Sequence, residues 1–383
     1  MQSPGNTGKT DGPHKAILIL LAVAMSAIEF FFPRIPLFPW LKPGIANCVT
    51  LVWIIEFGAV DALLFFFIRT WIVGFYFGFS FLTIALSLSG GALATIAMGI
   101  CWNCAGKRGV LGATGISITG AVFHNFGQLV AVYFLMVHNV HLFYQVPVML
   151  IASVLFGGVT GLLAVPLLDF LRSTGGPTES LAASPALAVT SVPAGDTIIS
   201  SCIIAGSFAL VFVNDLLFLT LCALMTTAAI QIILKGSWKS LVQPVERYWL
   251  LFLCIACLQL FYSYGARIDH LPFLTREGVI IMAQQWLRLW IWLELSLVLT
   301  HFNFNRVVFK ILSVLFSRHE STLHAGLLAL EHFPATVSIV QSRARRHLIP
   351  LVLHPVKNGK KGMEQMFGEI VRITTSTSSA DHR

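Results

Sequence analysis

The chain has 383 residues, of which 56% are hydrophobic and only 11% are charged, with a formal net charge of +8 at pH 7. Its mean hydropathy is +0.80, and its long runs of Ala, Leu, Ile, Val and Phe reach the ~20 residues that a helix needs to cross a bilayer. This composition excludes an ordinary water-soluble protein and predicts a polytopic membrane protein in contact with the lipid bilayer.

The apolar runs predict an all-α fold, because each segment in hydrocarbon must satisfy its own backbone hydrogen bonds. Ten transmembrane helices are expected, at residues 15–32, 47–58, 60–77, 79–101, 111–137, 146–171, 197–213, 216–234, 248–264 and 278–301. The second is too short to cross a bilayer and follows four prolines. We therefore interpret it as half of a broken or tilted element.

Lysine and arginine residues cluster on one side of this ten-helix arrangement. They precede the first helix and follow the fourth, sixth, eighth and tenth, whereas Arg34, Lys42, Arg267 and Arg276 fall on the other side. Cytoplasmic loops are enriched in Lys and Arg. The pattern therefore predicts a multi-pass protein of the cell inner (cytoplasmic) membrane with both termini in the cytoplasm.

The chain is predicted to contain two membrane domains. A stretch rich in Ser, Thr, Ala, Gly and Pro separates six helices from four, and it favours neither a span nor a packed core. No internal repeat relates the two halves. We expect an N-terminal cytoplasmic segment at 1–14, a first membrane domain at 15–172, a linker at 173–196, a second membrane domain at 197–301 and a basic cytoplasmic region at 302–383.

Seven cysteines lie mostly in or beside the predicted helices, and two pairs have CxxC spacing, Cys101/Cys104 and Cys254/Cys257. A metal site needs about four ligands, and no nearby His or Cys completes either pair. The pairs are interpreted as small packing residues, with redox chemistry or cluster ligation as the alternative. No metal site and no cofactor are predicted.

Polar side chains occur in the first domain at positions where hydrocarbon would penalise them. They are Asn47, Arg69, Ser89, His124, Asn125 and Gln128. Such residues are costly unless they pair or line a cavity, so we predict that they form a substrate-binding cavity near the midplane. Arg69 favours an anionic or phosphate-bearing ligand. The alternatives are hydrogen bonds between helices and, for Arg69, an ion pair with Glu56 or Asp61.

These segments carry a family resemblance that covers residues 15–172. The pattern Gly44-Ile45-Ala46-Asn47, then Arg69, then Ser89-Gly90-Gly91, then Gly120 through His124-Asn125 to Gln128, resembles the Gx transporter family. That family carries the legacy name heptaprenyl diphosphate synthase component I. It is similar to the substrate-binding S components of energy-coupling factor (ECF) importers, so the resemblance implies a transport role.

The legacy name implies prenyl transfer, which the residues do not support. Trans-prenyltransferases bind magnesium and diphosphate through Asp-rich motifs, since clustered carboxylates must bridge the leaving group through metal. The seven aspartates here are scattered singly, so no catalytic residue is predicted. No Walker sequence GxxxxGK[ST] occurs either, so any ATP would be hydrolysed by separate ATPase subunits.

The region after the tenth helix is basic and begins with a predicted amphipathic helix at 306–316 that lies along the membrane surface. Together with the preceding helices it resembles the T component of ECF importers, whose cytoplasmic coupling helices bear Ala-Arg motifs that engage ATPases. Arg343, Ala344 and Arg345 match this motif, although Arg346 stands where the family often has Gly. The alternative is attachment to anionic lipid headgroups. Nucleic-acid binding is not expected for a tail tethered to a span.

Three functions are consistent with these features. The first is the substrate-binding and coupling subunit of an ECF-type importer, with an unidentified small-molecule substrate. The second is an accessory membrane subunit in isoprenoid or quinone (heptaprenyl diphosphate) metabolism, without its own catalytic site. The third is a membrane scaffold without a ligand.

Overall fold

A computed structural model describes residues 11–31, 44–77, 81–137, 140–173, 193–233, 248–249, 252–253, 255–257, 259, 265–268, 271–301 and 304–330. The described chain is almost entirely helical, as the composition predicted. Its helices are α1 (Asp11–Phe31), α2 (Asn47–Phe57), α3 (Ala59–Phe77), α4 (Phe81–Cys101), α5 (Ala113–Val132), α6 (Val146–Ser173), α7 (Ala194–Ala209), α8 (Leu216–Ile233), α9 (Arg276–His301), α10 (Phe304–Leu315) and α11 (320–330). Short π- or 3-10-helical turns occur at Trp102–Gly106, Tyr133–Val137, Val140–Gln145 and Leu210–Phe212.

One small sheet was not predicted from the sequence. Strand β1 (Arg267–Ile268) pairs antiparallel with β2 (Leu271–Thr275), immediately before α9. The Thr275 hydroxyl then accepts the Gly278 N–H at 3.1 Å, which satisfies one free donor of the first turn of α9. The hairpin thus ends in a helix cap.

Within the described part of the chain, four helical stretches are long and apolar enough to cross a membrane, at Phe81–Gly106, Ala113–Met136, Val140–Asp169 and Gly195–Phe212. Helix α2 has 11 residues, so its length is about 16 Å, roughly half of a hydrocarbon core of about 30 Å. The second helix is therefore too short to span a membrane, as the sequence indicated.

Two hydrophobic clusters hold the helices together, and both contain residues from before and after the predicted linker. One is formed mainly by α1, α2 and α3, and includes Trp53 and Phe65 together with Val307 and Phe309 of α10 and Ala329 of α11. The other joins α4, α5 and α6 to α8, α9 and the 3-10 turn Leu210–Phe212 that follows α7. The amphipathic helix α10 thus buries part of its apolar surface in the cluster formed mainly by α1, α2 and α3.

Helices α4, α5 and α6 approach one another closely because glycines lie at their contacts. A Cβ at Gly127 would lie 2.7 Å from the Ser89 carbonyl oxygen of α4. A Cβ at Gly161 would lie 2.5 Å from the Thr114 Cα of α5. Small residues at such contacts allow helix backbones in membranes to approach closely. This packing brings polar residues of α5 and α6 together.

Helix α9 carries two buried charged residues, each of which binds polar groups from neighbouring segments. The Glu294 carboxylate accepts hydrogen bonds from the hydroxyls of Thr226 and Thr227 on α8. The Arg288 guanidinium donates to the Asn214 side chain at 2.7 Å. Buried charges are costly unless they are hydrogen-bonded, so these contacts account for charged residues inside an apolar helix.

Candidate functional site

The first polar group of the first domain is organised by Arg69 of α3, which is buried. Its Nη1 donates to the Ala46 carbonyl at 2.9 Å and to the Thr50 hydroxyl at 3.3 Å, and its Nη2 donates to Asn47 Oδ1 at 3.2 Å. All three acceptors lie at the N-terminal end of the half-length helix α2. Arg69 therefore binds the start of this helix rather than lining the cavity described below.

Neither ion pair that the sequence suggested for Arg69 is present. Glu56 pairs with Arg172 at 2.8 Å, near the ends of α2 and α6. Asp61 pairs with Lys15 at 2.7 Å. That alternative is wrong because α3 turns Arg69 toward the start of α2, about two helical turns away from Asp61.

Glu29 of α1 completes the support of α2, and the sequence reasoning did not single it out as a site residue. Its carboxylate accepts the Ala46 N–H at 2.8 Å. The turn itself begins at Gly44, where φ is +70° and the carbonyl accepts the Asn47 N–H at 2.8 Å. The sequence did contain a signal for Glu29, because it is a lone Glu in an apolar run and an ionisable residue at membrane depth needs a partner.

A small cavity lies between the start of α2 and helices α4, α5 and α6. Its volume is about 20 Å³, enough for one water molecule. The polar residues that line it are Asn47, Ser117, His124, Asn125, Ser153 and Thr160. The structure therefore brings Asn47, His124 and Asn125 of the predicted set to one cavity, and connects Arg69 to it through Asn47.

Three of these polar residues were not singled out from the sequence. Ser117 precedes His124 by seven residues on α5, and Ser153 precedes Thr160 by seven residues on α6. Residues seven apart lie on one face of a helix, two turns from each other. This repeated spacing of polar residues in two adjacent apolar helices was the signal that could have found them.

Ser89 and Gln128 do not line the cavity, and lie instead where α4 packs on α5. The Ser89 hydroxyl donates to the Leu86 carbonyl of its own helix at 3.1 Å. Gln128 is buried against Gly90, where a Cβ would lie 2.7 Å from the Gln128 Cγ. Among the residues that the structure describes, none bonds to the Gln128 Oε1.

Asn125 and Ser153 connect α5 to α6. The Asn125 Nδ2 donates to the Ser153 Oγ at 2.8 Å and, over a longer distance of 3.4 Å, to the Met149 carbonyl. The Ser153 hydroxyl donates to the same carbonyl at 2.6 Å. Asn125 thus combines two roles that the sequence offered as alternatives, since it bonds a neighbouring helix and also lines the cavity.

A second polar group surrounds Asp61 at the start of α3, and we call it the Asp61 cluster. The Asp61 carboxylate contacts Lys15 Nζ at 2.7 Å, His319 Nδ1 at 2.8 Å, the Thr322 hydroxyl at 2.7 Å and the Trp53 indole N–H at 3.2 Å. Lys15 Nζ also donates to Thr322. The cluster therefore ties α11 and the residue before it to the first three helices.

Within the described ranges, no group of three or more His, Cys, Asp or Glu residues could hold a metal ion. Cys101 and Cys104 are described as free cysteines, whereas Cys254 lies outside the described residues. The predicted coupling residues Arg343, Ala344 and Arg345 also lie outside them.

Comparison with known proteins finds a family match in the N-terminal half of the chain. No curated protein matches the chain. No solved structure matches it either. The matched region runs from α1 into α6 and contains every polar residue of the cavity. Residues 18–167 match the family of heptaprenyl diphosphate synthase component I, a membrane-associated family, which confirms the resemblance that the motifs of the N-terminal half indicated.

Proposed function

We propose that this protein is the substrate-binding and coupling subunit of an ECF-type importer in the cell inner membrane, acting with separate ATPase subunits. The observation that carries the proposal is the polar cavity between α2, α4, α5 and α6. Polar groups gathered inside an apolar helical domain are expected at substrate sites of membrane transporters.

In this proposal Asn47, His124 and Asn125 contact the substrate, and Arg69 acts as a positioning residue. Its guanidinium holds the carbonyl and side-chain oxygens at the start of α2. Ser89 and Gln128 contribute by fixing how α4 packs on α5. A cavity that holds only one water molecule must widen before it accepts a substrate. Movement of the half-length helix α2 would open it.

Coupling is proposed to pass from the basic tail to the first domain through α11. Thr322 and His319 contact Asp61, and Gly326 packs against Ile68 of α3. A movement of the tail would therefore be transmitted directly to α3. The same helix carries Arg69, which bonds the start of α2.

The substrate role is tested by identifying small molecules that co-purify with the protein. Thr160→Leu places a larger apolar side chain in the cavity, and Val159→Leu is the matched control because the Val159 side chain is exposed on the same helix. We expect a molecule that is recovered with wild type and the control by mass spectrometry and lost with Thr160→Leu. Thr160→Ser, which keeps the hydroxyl, should restore it.

Recovery of the same molecules from every variant would contradict a substrate role for the cavity. Size-exclusion chromatography in detergent distinguishes this result from misfolding, since a folded variant elutes as one symmetric peak. A folded Thr160→Leu variant that retains the bound molecule would exclude the cavity as its site.

The coupling role is tested with Arg345→Glu, which reverses one charge of the proposed ATPase-binding segment. Truncating or reversing a buried interface charge costs about 2–5 kcal/mol, so co-purification of candidate ATPases should fall sharply. Arg383→Glu at the chain end is the matched control. Equal ATPase recovery with both variants would favour headgroup binding by the tail.

The predicted orientation is tested with reporter fusions at Ser180 and after Arg372. Both fusions should report a cytoplasmic location, because Lys and Arg flank the corresponding helix ends. A periplasmic signal at either position would refute the ten-helix arrangement.

The family name favours a second function, an accessory membrane subunit in heptaprenyl diphosphate metabolism. The two functions differ in the partner that they require. Co-purification of an Asp-rich prenyl synthase in place of ATPases would support the accessory function. It would leave the importer proposal without a partner.

A further inference from the structure

An apolar groove lies between α5 and α6 and shares two residues with the polar cavity. Asn125 and Ser153 line both spaces. The rest of the groove is lined by hydrophobic residues, which are Val122, Phe123, Phe126, Leu129, Val146, Met149 and Leu150. The two spaces therefore meet at the hydrogen-bonded pair Asn125 and Ser153. The cavity is lined by further polar residues, and the rest of the groove is apolar.

The groove opens away from the protein, whereas its polar pair is buried. Phe126 is 50% exposed and Leu150 is 45% exposed, while Asn125 is 6% and Ser153 1% exposed. Both helices belong to stretches that are long and apolar enough to cross a membrane, and Asn125 lies near the middle of Ala113–Met136. The groove thus faces the hydrocarbon region at the depth where a polar group is most costly.

The sizes of the two spaces restrict what they can hold. The groove has a volume of about 290 Å³, which is close to the ~300 Å³ lower end of ligand pockets. The cavity, at about 20 Å³, admits no more than a water-sized group. Among the described residues that line the two spaces, none is Lys, Arg, Asp or Glu. Before any widening, a diphosphate would find no room in the cavity and no Lys or Arg beside either space.

We propose that the α5–α6 face binds a single-chain amphiphile taken from the bilayer, with its hydrocarbon chain in the groove and an uncharged hydroxyl or carbonyl head against Asn125 and Ser153. The Asn125 amide can donate two hydrogen bonds. Its bond to Met149 is long at 3.4 Å, so a ligand oxygen can take over this hydrogen. The inference rests on the proposed function, because it assigns the substrate class of the same site and a lateral route to it.

The test is photolabelling of the purified protein in phosphatidylcholine nanodiscs, without ATPases. The probe is a diazirine-bearing hexadecanol, and the same chain with a diphosphate head is the matched probe. We expect saturable labelling by the alcohol of peptides from α5 and α6, competed by unlabelled hexadecanol. The diphosphate probe should label these peptides weakly and without saturation.

Two variants of α6 locate the site. Leu150→Trp fills the groove, whereas Leu155→Trp adds the same bulk at an exposed position of the same helix that does not line it. Leu150→Trp should reduce labelling by roughly fivefold or more, which corresponds to about 1 kcal/mol of lost binding, because its indole occupies the space of the hydrocarbon chain. Leu155→Trp should label like wild type. When unlabelled hexadecanol and unlabelled hexadecane are compared as competitors, Ser153→Ala should reduce the advantage of hexadecanol.

Equal labelling of Leu150→Trp and Leu155→Trp would overturn the proposal. It would also be overturned if added phosphatidylcholine reduced the labelling as strongly as unlabelled hexadecanol does. Saturable labelling of a protein that recovers no ATPase would support the ligand class and remove the importer proposal. The opposite result would be a water-soluble polar molecule whose co-purification depends on Thr160, with no labelling of the groove. That result would support the importer proposal and remove the amphiphile as its ligand.

Discussion

Removal of the Asp61 carboxylate should destabilise the protein strongly, because Lys15 would be left as a buried charge without a counter-ion. Their side chains are only 4% and 7% exposed, with 2.7 Å between Asp61 Oδ2 and Lys15 Nζ. In Asp61→Leu the lysine would keep the hydroxyls of Ser321 and Thr322 and its place over the Phe57 ring, but no counter-ion. Breaking a buried pair by removing one partner costs about 3–5 kcal/mol.

The chain offers a matched control in the exposed pair between Glu56 and Arg172. Their N–O distance of 2.8 Å is nearly the same, but the side chains are 31% and 59% exposed. Exposed ion pairs contribute about 0–1 kcal/mol, since water screens the charges. Glu56→Leu should therefore change stability by no more than this. The two substitutions differ mainly in how far the broken pair is buried.

The double variant Lys15→Met/Asp61→Leu should be more stable than Asp61→Leu alone. Removing both charges of a buried pair avoids the desolvation cost that one remaining charge would incur. Stability is measured as the free energy of unfolding in mixed micelles with a denaturing detergent, followed by tryptophan fluorescence. The reasoning would be refuted if Asp61→Leu lost no more stability than Glu56→Leu. It would also be refuted if the double variant lost as much stability as the single variants Lys15→Met and Asp61→Leu lose together.

Three further changes test the packing by the same measurement. Gly161→Ala should destabilise by about 1–3 kcal/mol because its Cβ would overlap the α5 backbone, while Gly158→Ala, which meets no atom within 4 Å, should stay within about 0.5 kcal/mol. Arg69→Leu should cost about 2 kcal/mol or more, since acceptors at the start of α2 lose their donors. Removal of residues 318–383 should destabilise the protein more than removal of 331–383, because only the longer deletion takes His319 and Thr322 from Asp61 and the apolar residues of α11 from the core. Equal effects within either pair would contradict the corresponding contact.

The sequence alone was sufficient to predict a helical membrane protein with a half-length second helix. Composition and run length carry this information, since a bilayer admits few spanning structures and sets their length. The same reasoning selected Asn47, His124 and Asn125, which meet at one cavity. Polar residues in apolar helices are conspicuous because hydrocarbon penalises them wherever they lie along the chain.

Only the tertiary structure decided which polar groups meet. Arg69 has Glu56 and Asp61 within reach in sequence, yet it bonds to the start of α2, because the rotation of α3 sets its direction. Asp61 contacts His319, which is 258 residues away along the chain. No local pattern records such a pairing. The cost of burying an unpaired charge shows that Asp61 needs a partner, but it does not specify which residue that partner is. The partner is chosen by how glycine contacts and apolar faces pack the helices against each other, and this depends on the whole chain at once.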